Sequence, residues 1–425
     1  MKKVFFGIAL LATCIAQAQV PDHIYKENIR SVKLFNYGEI FSYPVIMLNS
    51  NDQLELHFDD MDADIKNYYY SYQLCNADWT PSTLFTFDYI KGFQSNRIST
   101  YRSSSIAYDR YTHYQAILPD RNCVPTRSGN YLLKVFINDD TSKIVFAKRF
   151  LVVDNNKVSI AARMMTPLGG QLFRTHQRVQ VSVNTTNAKL NAFSPQDLKV
   201  VVLQNYSWPT AALINRPTIY RGNYYEYSDD ALSFPAGREW RWVNLTSIRL
   251  MSDRVSDMVK GNKRTDVYVK PDGERSQQVY IYYRDNNGLF TIENTDGNNP
   301  YWQSDYMYTH FTFVPPGNKP YGGKNIYLYG ELTNYALNDS AKMTFNEEKG
   351  VYERTMFLKQ GYYNYAYVTK NENPSRNEPF VFDNTEGNYQ ATENTYMVLI
   401  YFRPFGARAD ELIGYTTVNS LSGGF

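Results

Sequence analysis

Cysteine and histidine are scarce in this 425-residue chain, with three of the first (Cys14, Cys75, Cys123) and five of the second (His23, His57, His113, His176, His310). No Cys-x-x-Cys or His-Glu-x-x-His spacing occurs, so the closely paired ligands of common zinc sites are missing. A Gly-x-Ser-x-Gly elbow and a phosphate-cradling glycine loop are missing too. Spacing alone does not exclude a carboxylate pair of the glycosidase kind among 42 acidic residues, but no motif marks one. The chain therefore reads as a non-enzyme, with no catalytic, metal or cofactor-binding residues. Net charge is lacking as well. Without Lys2 and Lys3 the 44 basic residues fall to 42, equal to the acidic count. No global field draws the protein to nucleic acid or to anionic lipid.

Long apolar runs are absent beyond Val4–Ile15. Nothing else approaches the roughly 18 residues needed to span a bilayer, so direct membrane insertion is not expected. Met1-Lys2-Lys3, that apolar run and Ala16-Gln17-Ala18 have the form of a cleavable secretory signal over residues 1–18, giving a mature start at Gln19. Thr13 before Cys14 argues against a lipoprotein signal there. In an exported chain Cys75 and Cys123 have two readings. They form a disulfide closing a loop of about 50 residues, worth roughly 4 kcal/mol on the chain-entropy model, or they are two buried free thiols.

Tyrosine is abundant, at 38 residues against 24 Phe and 5 Trp. It packs as an aromatic and hydrogen-bonds as an alcohol, which suits half-buried sheet faces and interfaces. Tyr68, Tyr70, Tyr72 and Leu74 recur every second residue and predict one buried strand face. Asn76-Ala77-Asp78 supplies a turn, and Trp79 is expected to close the end of that sandwich core. Asp59-Asp60-Met61-Asp62-Ala63-Asp64 invites a calcium reading but lacks the mid-loop Gly and closing Glu of an EF-hand, so a solvated turn is expected.

Strand and turn signals divide the mature chain into three all-β sandwich domains, at 19–154, 155–296 and 297–425. Asn294–Pro300 is the best linker. Val279, Ile281 and Tyr283 predict a strand entering a hairpin at Arg284–Gly288. Ile248, Met251, Val255, Met258 and Val259 give the one fair helical face. Ile326–Tyr335 and Tyr362–Tyr367 resemble the early-set sandwich of glycogen-binding domains, although Leu332-Thr333-Asn334-Tyr335 replaces the usual Phe-Asn-x-Trp and leaves only Tyr335 as a candidate aromatic platform.

An ordered set of motifs is more specific than any one of them. It comprises Tyr70–Trp79, Arg97–Tyr101, Tyr111–Tyr114, Ser128–Phe136, Asp197–Asn205, Phe234–Gly237, Glu386–Asn394 and Tyr401–Pro404. Together these resemble the plug protein family of the type IX secretion system of Bacteroidota, over nearly the whole mature chain. The resemblance implies a soluble periplasmic protein of immunoglobulin-like and early-set sandwiches at the inner side of the outer membrane. It implies one partner, the outer-membrane translocon barrel, whose periplasmic opening it occludes without catalysis. It supplies no partner-binding residues. The alternative is an exported glycan-binding sandwich protein of a polysaccharide uptake system.

Overall fold

The computed structural model describes residues 21–187, 190, 194–262, 264–375 and 378–422. The expected signal, Cys14 and the start at Gln19 lie outside the described residues. Among those described the fold is all β, with 30 strands, a few single-turn 3-10 segments and no α-helix.

The first sandwich packs two sheets. One orders the strands Val45–Met47, Ile144–Val153, Gly129–Ile137, Tyr68–Cys75 and Asn96–Arg97. The other orders Ile29–Asn36, Leu54–Asp60, Thr112–Leu118 and Thr100–Ser103. Tyr68, Tyr70, Tyr72 and Leu74 are buried as their alternation predicts, opposite Ile137, Val135, Leu133 and Tyr131. Leu56, Phe58 and Phe150 complete the same core. Trp79 does not close it. Its ring lies edge-on to Trp208 at 4.8 Å and under the Arg149 guanidinium, in a cluster that joins the first sandwich to the second.

Sheet pairing departs from the division expected at 296. The second core is built from Ser159–Met165, His176–Asn184 and Leu198–Gln204 together with the C-terminal hairpin Thr395–Phe402 and Glu411–Asn419. Leu198–Gln204 pairs along its length with Phe402–Tyr396. Between Ser233–Pro235 and Thr395 the chain builds the third sandwich, which is thus inserted into the second. Arg241–Asn244 and Phe290–Ile292 pair with Gly361–Asn371, and Thr265–Val269 runs parallel to Tyr306–Val314. Asn294–Pro300 is a loop inside this domain. Its polarity serves local turns, with Asn294 accepting from the amides of Asp296 and Gly297, and Asp296 accepting from Ser247 and the Ile248 amide.

The expected helix is not formed. Val255–Lys260 is a strand paired with Thr265–Val269, while Leu250 and Met251 stand in solvent. Five apolar residues at helical spacing fit a β-ribbon with loops equally well, and β-branched Val255 and Val259 favour it. Among the described residues the strand expected at Val279–Tyr283 has no ladder partner. Its turn is real. Gly288 has φ +83°, and a Cβ there would lie 2.8 Å from the Trp240 ring, so only glycine fits.

Candidate functional site

Cys75 and Cys123 are both buried free thiols, so the disulfide reading gives way to its alternative. Strand parity explains this. Leu74 points into the first core with Cys123, so Cys75, its neighbour on the strand, turns to the opposite face of the sheet. Burial pushes both thiols up to about 12. Neither is a poised nucleophile.

Asp60, Asp62 and Asp64 do converge, with ligand atoms within 4.8 Å of one another. An ammonium already sits among them: Lys66 Nζ is 2.8 Å from Asp60, 3.1 Å from Asp64 and bonded to Asp62. Asn28 Nδ2 donates to Asp60 and Asp62 at 2.7 and 2.9 Å. The carboxylates close a turn on a lysine.

The densest polar constellation lies between the first and third sandwiches. The strand Leu54–Asp60 turns Leu54, Leu56 and Phe58 into the core and Glu55, His57 and Asp59 to its other face, where pairing with Thr112–Leu118 sets His113 opposite Asp59. His57 Nε2 contacts Glu55 at 2.9 Å, His57 Nδ1 contacts His113 Nε2 at 3.0 Å, and His113 Nδ1 contacts Asp59 at 2.7 Å. Three hydrogen bonds need three protons, and two neutral imidazoles bring two. The complete row therefore carries one imidazolium.

Burial lowers the His113 pKa to about 4, which keeps this ring neutral. The third domain caps the row. Lys359 Nζ reaches Asp59 Oδ2 at 2.5 Å, Tyr306 donates to the same oxygen at 2.6 Å, and Tyr301 stacks on His57 with centroids 3.9 Å apart. Burial works to raise the Asp59 carboxyl, but Lys359 and His113 outweigh it and hold it below its ordinary value. The void here is only about 10 Å³, which leaves no space for a substrate. In the sequence these histidines stood alone. The signal was Glu55-x-His57-x-Asp59, three polar residues on one strand face, a pattern that also describes a solvated face.

Two more clusters are structural. Arg241 forks onto Glu386 at 3.0 Å and Asp272 at 2.8 Å, Arg275 reaches Glu386 at 2.5 Å, and Tyr365 and Tyr367 donate to Asp272. On the open face of the third domain Asp266, His310 and Thr355 form a carboxylate–imidazole–hydroxyl row, with bonds of 2.7 and 2.8 Å. It resembles a hydrolytic triad in outline only. His310 and Thr355 are cross-strand partners on a flat sheet, where ladder bonds consume the amides an oxyanion would need, and Arg264 also forks onto Asp266.

Tyr335 offers no glycan platform. It is only 8% exposed, edge-on to Tyr329 at 5.5 Å inside the protein. His23 and His176 belong to none of these clusters: His23 lies edge-on to Tyr25, and His176 bonds Thr175. Exposed aromatics gather instead at loop tips. Phe85, Phe87 and Phe93 from the first sandwich stand in solvent, as does Phe405 in the C-terminal hairpin loop of the second, and Arg408 of that loop bonds Thr83 and lies over the Phe85 ring at 5.7 Å. Phenylalanine with arginine at a loop tip has the chemistry of a protein interface.

Among the described residues, then, the buried polar constellations pack the domains against one another, and the exposed aromatics sit at loop tips. A family model described as "Type 9 secretion system plug protein 1st domain" matches residues 29–154. A crystal structure described as a hypothetical protein from Parabacteroides merdae ATCC 43184 is 32% identical, with a TM-score of 0.88, covering 94% of this chain and all of that one. No curated protein matches.

Proposed function

This chain belongs to the plug protein family of the type IX secretion system, and from that premise we propose that it is a non-enzymatic periplasmic plug, which binds and occludes the periplasmic opening of the outer-membrane translocon. The observation that carries the reading is the welding of three sandwiches into one body. Asp59–Lys359 and Lys33–Glu331 tie the first domain to the third, each at 2.5 Å, Tyr401–Asn130 ties the second to the first at 2.6 Å, and Ser207–Tyr329 ties the second to the third at 2.5 Å. A pore wide enough for folded cargo leaks small solutes unless a stiff object fills its mouth. A string of hinged domains would not serve, because interdomain motion would reopen the gap.

The occluding contact needs shape complementarity and a partly polar, releasable interface, and the phenylalanine–arginine loop tips supply the aromatic part of such a surface. Export through a cleavable signal over residues 1–18 completes the proposal. The test is purification of the translocon in its closed state from cells making a tagged copy of this protein. The tagged protein is expected in the complex, and cells lacking it are expected to admit small dyes through the outer membrane. A closed translocon with no trace of the protein would overturn the reading.

A further inference from the structure

From Val279 to Asp285 the chain runs without turn or bend, and none of its main-chain amides or carbonyls finds a hydrogen-bond partner among the described residues. The neighbours on either side are paired. Gln278 accepts from Arg238, and the Asn286 carbonyl accepts from the Leu289 amide. The segment is nevertheless fixed. The Tyr280 hydroxyl donates to Glu239, lies 3.1 Å from the Ala391 carbonyl oxygen and its ring stacks on Tyr389 with centroids 4.2 Å apart, while Tyr283 donates to the Glu239 carbonyl and accepts from Arg275.

Between and beside these anchors Val279, Ile281 and Tyr282 are 85, 71 and 52% exposed. The sequence Val-Tyr-Ile-Tyr-Tyr has high strand propensity, and proteins that leave such an edge open usually blunt it with lysine, proline or a bulge. Within this edge the first charge is Arg284. An anchored, apolar segment whose main-chain groups are unpaired among the described residues is complementary to one kind of occupant, another extended polypeptide, because only a backbone offers donors and acceptors at the strand repeat.

We propose that Val279–Asp285 is a docking strand on which an extended segment of a partner chain pairs through main-chain hydrogen bonds. Resting on the plug reading, the partner is the translocon. The pairing gives affinity without a large buried surface. It also lets the plug dissociate by unzipping one strand while the three domains stay intact.

Hydrogen exchange on the tagged full-length protein tests this, once purified alone and once bound in native outer-membrane fragments. The amides of 279–285 are expected to exchange freely in the isolated protein and about 100-fold more slowly in the membrane-bound form, as closed ladder amides do. Ile281→Pro removes a donor at an exposed position and is expected to lower retention on the translocon about tenfold with an unchanged melting temperature. Val279→Lys, which leaves the backbone whole, is expected to act in the same direction. Unchanged exchange in the bound form overturns the docking strand even if the translocon is retained. Protection that rises with concentration in the purified protein, with a doubled mass, assigns the strand to a second copy and overturns the chosen occupant. The plug reading fails separately, by absence of the translocon from the retained material.

Discussion

Glu386 shows most directly what single residues contribute here. Burial pushes its carboxyl up, but Arg241 and Arg275 outweigh that and bring its pKa down to about 2. The folded value thus lies below the unfolded one, so the stabilisation is complete above pH 4.5 and is lost as pH falls toward 2. The change should amount to about 3 kcal/mol, read as a fall in the urea midpoint over that window and absent from Glu386→Gln. His113 makes a second expectation. Its ring should stay neutral, with the proton on Nδ1 facing Asp59, down to about pH 4, as side-chain nitrogen shifts would report. His113 titrating near 6.5 would show that burial does not govern it. Lys359→Met leaves Asp59 buried without its cation and should cost about 3–5 kcal/mol in chemical denaturation, while Lys359→Met with Asp59→Asn recovers much of it.

At the scale of elements, a strand could be read where one face meets its own core. Tyr68, Tyr70, Tyr72 and Leu74 declared their inward face because every second residue was apolar, and the structure pairs them as that pattern requires. Glu55, His57 and Asp59 could not be read so. Their face is buried by a domain more than 200 residues away in sequence, and alternation gives no information about distant cover. The C-terminal hairpin failed for the same reason. Nothing within Thr395–Asn419 says that its partner is Leu198–Gln204, because an insertion does not alter the pattern of either strand. This yields a prediction that the expected linear division would not make. Truncation after Asn394 should unfold the second core, exposing strands His176–Asn184 and Leu198–Gln204 to protease, because Val398, Ile400 and Ile413 leave with the hairpin. The first sandwich, with its own core, should persist as a resistant fragment.

For the whole molecule, the question is whether three cores behave as one. Multidomain chains usually melt in steps, because the interfaces between domains are small and polar. Here the interfaces bury charge pairs and stacked rings together. Separating the first sandwich from the third would leave Asp59 and Lys359 to be resolvated, and would strip Lys33 of both Glu331 and the Phe290 carbonyl. Separation would also uncover the rings packed across the interface, Tyr301 on His57 and Tyr306 on Tyr111, so separation ahead of unfolding should be rare. Calorimetry at neutral pH should accordingly give one transition with calorimetric and van't Hoff enthalpies in agreement. Replacing both lysines, Lys33→Met with Lys359→Met, should split it into separate transitions, the first sandwich melting apart from the interlocked second and third. The same double variant connects stability to function. A body that hinges at 37 °C should still reach the translocon through its exposed loops but seal it poorly, so dye entry should rise while retention on the membrane is kept. If the wild-type protein itself melts in separate steps, rigidity is not what makes it a stopper.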